Sequence, residues 1–342
     1  MPNEQQVLVT GASGFLGSHC VIQLLDRGYR VRGTLRDMGR ADAMRAIIES
    51  NAKTNAGLDF VQADLMYDAA WDRAVKGCTY VIHTASPVPV KLPKDPDTLL
   101  LPARDGTLRV LRAARDGGVR RVVVTSSTAA VSYGEGGRTH AEFTEDDWTD
   151  PDGPEVSAYA RSKILAERAA WTFIRTEGKD LELAVINPSL ILGPVLETDY
   201  GSSAELIRRL LTGAFPGCPR LGWPIVDVRD VAALHIAAME APEASGHRFL
   251  CGNEFMWLRD IARVLRERVP GYRRRIPTRP LPNWLMRLIG LFDEQVRSLS
   301  SGLGERRAVS CGKARGMLGW RPRPAEEAIV ATAESLIAHG IV

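Results

Sequence analysis

The chain has 342 residues, 45% hydrophobic and 25% charged, the balance of a globular protein long enough for a nucleotide-binding domain plus a smaller lobe. Its 44 basic residues are nearly matched by 41 acidic ones, and a net charge of +3 argues against nucleic acid as a partner. No apolar run reaches the length of a membrane span, and the polar start from Met1 to Gln6 leads straight into a strand, so the sequence predicts a cytoplasmic protein with no signal peptide and no membrane partner.

From Gln6 to about Val124, short β-branched runs alternate with amphipathic stretches. Val7-Leu8-Val9, Tyr29-Arg30-Val31, Leu58-Asp59-Phe60-Val61, Tyr80-Val81-Ile82 and Val122-Val123-Val124 read as buried parallel strands. Helical patterns lie between them, from His19 to Arg27, Asp42 to Glu49, Ala70 to Lys76 and Leu108 to Asp116. This order predicts an α/β, Rossmann-type, doubly wound parallel sheet. A polar, turn-rich stretch follows from Gly134 to Pro154, then a helix carrying Tyr159 and Lys163, then a strand at Leu183-Ala184-Val185-Ile186. Beyond Asn187 the rhythm loosens. The expected division makes residues 1–187 the nucleotide-binding domain, with 224–245 returning to it, and makes 188–223 and 246–342 a smaller, mainly helical substrate lobe. Cys20, Cys78, Cys218, Cys251 and Cys311 are an odd number without metal-ligand spacing, so they read as reduced thiols and no metal is expected. Arg273-Arg274-Arg275 with Arg279 reads as a solvated loop, with a site for a phosphorylated substrate as the alternative.

The first strand runs into Thr10-Gly11-Ala12-Ser13-Gly14-Phe15-Leu16-Gly17, where a helix begins. Glycines at this spacing let the backbone turn tightly and approach a pyrophosphate lying on the helix N-terminus. Gly11, Ser13, Gly14, Phe15, Leu16 and Gly17 are therefore cofactor-binding candidates. The second strand leads to Arg36, with no carboxylate before Asp37 to accept ribose hydroxyls, so a guanidinium facing a 2′-phosphate favours NADP(H) over NAD. Asp64-Leu65 ends the third strand, where the carboxylate serves either an adenine amino group or a local turn. Thr84 and Ala85 are small residues after the fourth strand that let the backbone pass close to a cofactor, and His83 reads as a packed core histidine.

Tyr159 and Lys163 are four residues apart on a helix and share one face. In a chain that otherwise favours arginine, this lysine reads as selected, and its charge is expected to lower the tyrosine pKa from about 10 toward neutrality. Thr125-Ser126-Ser127-Thr128 lies at the carboxyl end of a central strand, where a hydroxyl can hold a substrate oxygen.

Together with Asn187-Pro188-Ser189 and Gly193-Pro194, these motifs resemble the extended short-chain dehydrogenases/reductases, most of all the dihydroflavonol reductase-like and carbonyl reductase-like branch, over about residues 6–250. The resemblance implies that Ser127, Tyr159 and Lys163 form the catalytic set, and that Pro188, Ser189 and Ser203 lie near the nicotinamide. The segment from Gly222 to Ala232 is similar to one that returns from the substrate lobe to the core, and reads equally as a strand capped by Asp227 before a helix. Val156-Ser157-Ala158 departs from the Asn-Trp of cinnamoyl-CoA reductases. Ser132 stands where plant dihydroflavonol reductases carry Asn, so neither a CoA thioester nor a flavonoid is implied. The expected activity is NADPH-dependent reduction of an aldehyde or ketone, reversible as an alcohol dehydrogenase, by a monomer or homodimer. A nucleotide-sugar epimerase/dehydratase, a 3-beta-hydroxysteroid dehydrogenase/isomerase and a non-catalytic NADP sensor are the alternatives. Val88, Ser132, Tyr133 and Trp223, with Tyr200 and Phe215, are the expected substrate-pocket residues.

Overall fold

The computed structural model describes residues 5–54, 56–86, 97–133, 142–153, 156–289, 291 and 302–342. Its strands are β1 (Gln6–Thr10), β2 (Arg30–Leu35), β3 (Leu58–Gln62), β4 (Cys78–His83), β5 (Arg121–Thr125), β6 (Glu182–Pro188), β7 (Leu190–Leu192), β8 (Cys218–Pro219), β9 (Gly222–Asp227), β10 (Arg248–Cys251), β11 (Phe255–Trp257) and β12 (Pro280–Leu281). The helices are α1 (Phe15–Asp26), α2 (Ala41–Asn51), α3 (Trp71–Val75), α4 (Asp97–Asp116), α5 (Ala158–Thr176), α6 (Gly201–Thr212), α7 (Val228–Glu240), α8 (Leu258–Arg268), α9 (Asn283–Ile289), α10 (Gly312–Leu318) and α11 (Ala325–Ala338).

Seven strands form one parallel sheet in the order β10-β6-β5-β4-β1-β2-β3, the doubly wound arrangement expected from the alternation. Period-2 alternation sends successive side chains to opposite faces. Val7, Val9, Ile82, Val123 and Ile186 join the core under α1 and α7. Leu8, Val81, Val122, Val124 and Val185 join the core shared with α3, α4 and α5. Burial on both faces explains why these strands read as continuous apolar runs. A separate core gathers Leu192, Ile225 and apolar residues of α6, α8 and α11, beside the small sheet β11-β9-β7. Among the described residues no helix is long and apolar enough to cross a membrane.

Two elements differ from expectation. α4 starts at Asp97 rather than Leu108, running through Pro102. The proline removes one N–H near the helix start, a small loss beside the buried stripe of Leu99, Ala103 and Thr107 at i, i+4 and i+8. Second, β10 pairs with β6 and so extends the main sheet, although residues 246–342 were all expected in the lobe. Four residues are too short a run for periodicity to place.

Arg121 explains how α7 is fixed to this sheet. Only 1% exposed, it reaches from β5 to donate to the carbonyls of Ala238 (2.9 Å), Met239 (3.1 Å), Ala241 and Pro242, and to Glu182 Oε2 (2.7 Å). These carbonyls belong to the last turn of α7 and the residues after it, where the helix dipole favours a cation. Arg121→Met should cost about 3–5 kcal/mol by leaving the four carbonyls without their donor, while Glu182 keeps Arg120 at 3.8 Å. Urea unfolding reads this directly, and a change under about 0.5 kcal/mol, the range of an ordinary surface substitution, contradicts it.

Candidate active site

The carboxyl ends of β1, β4, β5 and β6 open onto one crevice, where the strand order reverses between β1 and β4. Gly11 turns the chain out of β1 at φ +68, and a Cβ there would lie 3.0 Å from Ala85 Cα. A Cβ on Gly17 would lie 2.1 Å from the Gly11 carbonyl oxygen. The loop therefore closes only with glycine at both places. Gly14 caps α1 without a side-chain hydrogen bond, and Ser13, Phe15 and Leu16 surround a helix N-terminus with no acid in its first turn. A dinucleotide pyrophosphate fits this cradle: the backbone is bare and the positive end of the helix is uncapped. Thr84 donates to the Thr10 carbonyl (2.7 Å) and Ala85 N donates to Thr10 Oγ1 (3.1 Å), which holds the end of β4 against the loop.

Arg36 is exposed at the end of β2, and its guanidinium has no partner among the described residues. Asp37 spends Oδ1 on Gly39 N (2.8 Å), capping its own turn, so the nearest carboxylate is engaged locally. An accessible cation without a competing acid suits a 2′-phosphate. Arg40, not singled out in the sequence, sits one turn further on and pairs with Glu197 (2.7 Å) and Asp199 (3.3 Å) across the crevice. The signal for it was the second arginine four residues after Arg36. Asp64 Oδ1 accepts from Met66 N (2.9 Å), which is the turn-capping role, and Leu65 packs under Gly106.

At the end of β5, Ser127 is 9% exposed; its Oγ accepts from Ala129 N (3.1 Å) and faces the Pro188 carbonyl at 3.5 Å. α5 begins at Ala158, capped by Ser157 Oγ on Ala160 N (3.1 Å), and this fixes Tyr159 in its first turn. Lys163 follows one turn later, 5% exposed, donating to Ser86 Oγ at 2.9 Å with its Nζ 5.7 Å from the Tyr159 ring centre. Burial brings Lys163 down to about 8, while Glu167 opposes the shift. The expectation for Tyr159 is corrected here. Its pKa is raised rather than lowered, because desolvation of the phenol outweighs the relief from its hydrogen-bonding neighbour Ser127, and Tyr133 raises it further. The Lys163 ammonium is turned to Ser86. His83 is buried and brought down to about 3 by burial and by the Lys163 charge, which leaves it a neutral core residue bonded to Thr10 Oγ1 (2.8 Å).

Behind this set lies a buried polar cluster that the sequence reading did not assemble. Glu167 Oε2 accepts from Ser126 Oγ (2.6 Å), Asn187 Nδ2 (2.7 Å) and Arg248 Nη2 (3.1 Å). Its signal was spacing: Tyr159, Lys163 and Glu167 are i, i+4 and i+8 on α5. Pro188 ends β6 beside Ser127, whereas Ser189 donates to the Pro224 carbonyl, which ties it to β9. Ser203 lies in the first turn of α6 and makes no side-chain hydrogen bond among the described residues.

The expected substrate residues divide. Tyr133 is partly buried near Tyr159, under the Arg307 guanidinium at 4.0 Å. Ser132 is buried and donates to the Thr128 carbonyl (3.1 Å) within its own turn. Trp223 is partly buried on β9, against the core of the smaller lobe. Tyr200 lines a crevice with Ser13 and Phe15, on the glycine-loop side, and donates to Glu205 Oε2 (3.0 Å). Phe215 lies under Arg209 at 4.5 Å. Val88 falls outside the described residues. Asp227 caps α7 through Arg229 N (2.8 Å), the structural role foreseen for it. All five cysteines are buried thiols, and Arg273, Arg274 and Arg275 are exposed.

Known proteins resemble the chain in sequence and in fold. Cinnamoyl-CoA reductase 1 of Petunia hybrida is 38% identical over 277 residues, 80% of each chain. Dihydroflavonol 4-reductase of Zea mays is 34% identical over 274 residues, 78% of this chain and 75% of that protein. The yeast methylglyoxal/isovaleraldehyde reductase Gre2, solved with NADPH, superposes with a TM-score of 0.82 at 27% identity, covering 99% of this chain and 100% of that one. With residues 7–252 matching its sequence pattern from the glycine loop through β10, the chain belongs to the NAD dependent epimerase/dehydratase family, the extended short-chain dehydrogenases/reductases.

Proposed function

We propose that this protein is an NADPH-dependent reductase of aldehydes or ketones, reversible as an alcohol dehydrogenase. The observation that carries the reading is the meeting of Ser127, Tyr159 and Lys163 at the carboxyl edge of β5, beside a glycine loop that leaves α1 uncapped. When bound, NADPH supplies the hydride. Tyr159, a phenol with its pKa held above the usual value, carries the proton that the developing alkoxide needs. Ser127 Oγ–H is the donor that holds the carbonyl oxygen, and its fixed place in the β5 turn means little reorganisation as charge develops. Lys163, anchored on Ser86, keeps a positive charge near both and is the residue for the nicotinamide ribose. Pro188, Ser189 and Ser203 are the remaining residues for the nicotinamide end, and the lobe built around α6, α8 and α11 covers the substrate side. A nucleotide-sugar epimerase fits less well, because β2 is followed by Arg36 and not by an acid, and the next carboxylate, Asp37, turns Oδ1 to Gly39 N in its own turn.

The test is turnover with NADPH on a panel of aromatic and aliphatic aldehydes, ketones and a cinnamoyl thioester. Tyr159→Phe should lower kcat by about 10²–10⁴-fold with NADPH binding retained, the contribution of a positioned proton donor. Equal turnover in the variant rules the mechanism out.

Arg36→Ser should weaken NADPH binding by about 10–100-fold while leaving NADH unchanged, the loss of a charge-assisted contact worth about 1.5–3 kcal/mol. Titration calorimetry with both nucleotides measures it, and equal losses for the two remove Arg36 from the 2′-phosphate.

The pH profile carries a sign. Lys163 is protonated below about 8 and neutral above it, so kcat/KM should fall as pH rises through that value. A profile still rising there contradicts the need for its charge.

A further inference from the structure

If Lys163 works as a cation, something must keep its proton on where water is largely excluded. We propose that Glu167 is the positioning residue that does this, its carboxylate shared between Lys163 and Arg248 and tied to both strand ends that hold Ser127. The proposal rests on the reductase reading above.

Glu167 is 1% exposed, one turn beyond Lys163 on the same stripe of α5. Oε2 accepts from Ser126 Oγ at 2.6 Å, from Asn187 Nδ2 at 2.7 Å and from Arg248 Nη2 at 3.1 Å, while Oε1 accepts from Trp171 Nε1 at 3.3 Å. Four donors therefore converge on this one carboxyl, using its capacity as an acceptor on both oxygens. Arg248 Nε also lies 2.8 Å from Oε1, at an angle that makes it an ion pair and not a hydrogen bond. Asn187 Nδ2 donates as well to the Ser127 carbonyl (3.2 Å), so β5 and β6 are clamped at the point where the catalytic serine leaves the sheet.

The groups facing Lys163 are few. From β4 come His83, neutral through the working range, and Ser86 beyond it. From α5 come Tyr159 and Glu167, and among the described residues Glu167 is the carboxylate whose charge acts on the ammonium. Arg248 in turn meets Glu167, Glu145 and the repelling Arg168, with its guanidinium 3.7 Å from the Trp148 ring centre. The anion therefore pairs directly with Arg248 and sits one turn of α5 from Lys163, so how much of its charge reaches the ammonium depends on the guanidinium beside it.

A purely structural clamp and an electrostatic one predict different results. In Arg248→Met, Ser126, Asn187 and Trp171 still donate to the Glu167 carboxylate, whose charge, no longer compensated by the guanidinium, acts more fully on Lys163, so the Lys163 titration midpoint should rise. In E167Q/R248M, both buried charges go together, so neither is left without its counter-ion, and the midpoint should fall by roughly one pH unit, the scale of one near charge. Lysine-selective isotope labelling reads the midpoint by NMR, with the Lys163 signal assigned from its loss in Lys163→Met. The alkaline limb of kcat/KM should move the same way as the midpoint in each variant. A midpoint that stays put in either variant, or moves in the same direction in both, overturns the proposal. The NMR readout needs no turnover. Opposite shifts in a protein that reduces no carbonyl leave the charge role standing and discard the reductase reading, whereas active enzyme with unmoved midpoints discards only the role of Glu167.

Discussion

A lysine only 5% exposed is an expensive object, because burial acts against its charge at every pH where that charge is needed. The architecture around Lys163 is arranged to meet that cost locally. The chain just after β4 supplies Ser86, which accepts from the ammonium, and the last residue of β4, His83, stands close by in its neutral form, so it adds no second cation. α5 brings Glu167 one turn away and Tyr159 one turn the other way, while the Ser157 cap fixes where that helix begins. Each of these parts is pinned by something larger than itself. α5 lies on a sheet face whose core includes Phe173 and Ala170, and β10 reaches back to supply Arg248 as the second counter-ion of the same carboxylate.

Much of this was legible in the sequence, for identifiable reasons. β1, β4, β5 and β6 were readable because strands buried on both faces leave apolar runs, and the glycine loop was readable because Gly11 and Gly17 admit no side chain at the contact they make. Tyr159 and Lys163 were readable because helical spacing alone puts them on one face. What was not legible depends on contacts between distant segments. No local pattern says that Arg248 meets Glu167, 81 residues away, or that Arg40 crosses to Glu197. The direction of the tyrosine shift was misjudged because spacing reports that two groups are near, but not where a flexible ammonium points or how dry a phenol is.

That correction bears on which form of the site waits for substrate. A phenol whose pKa is raised above its usual value is neutral throughout the physiological range, so in the proposed mechanism the free protein already holds the proton to be delivered. Lys163, near about 8, is at the same time mostly charged at neutral pH, and the two groups therefore sit in the states that reduction requires. Oxidation of an alcohol would start from a phenolate, which this environment disfavours through desolvation until something adds positive charge or hydrogen bonds at the phenol. In that proposed cycle the packing around Tyr159 prepares the proton-donating half in advance, and leaves the reverse half to depend on what the occupied crevice contributes.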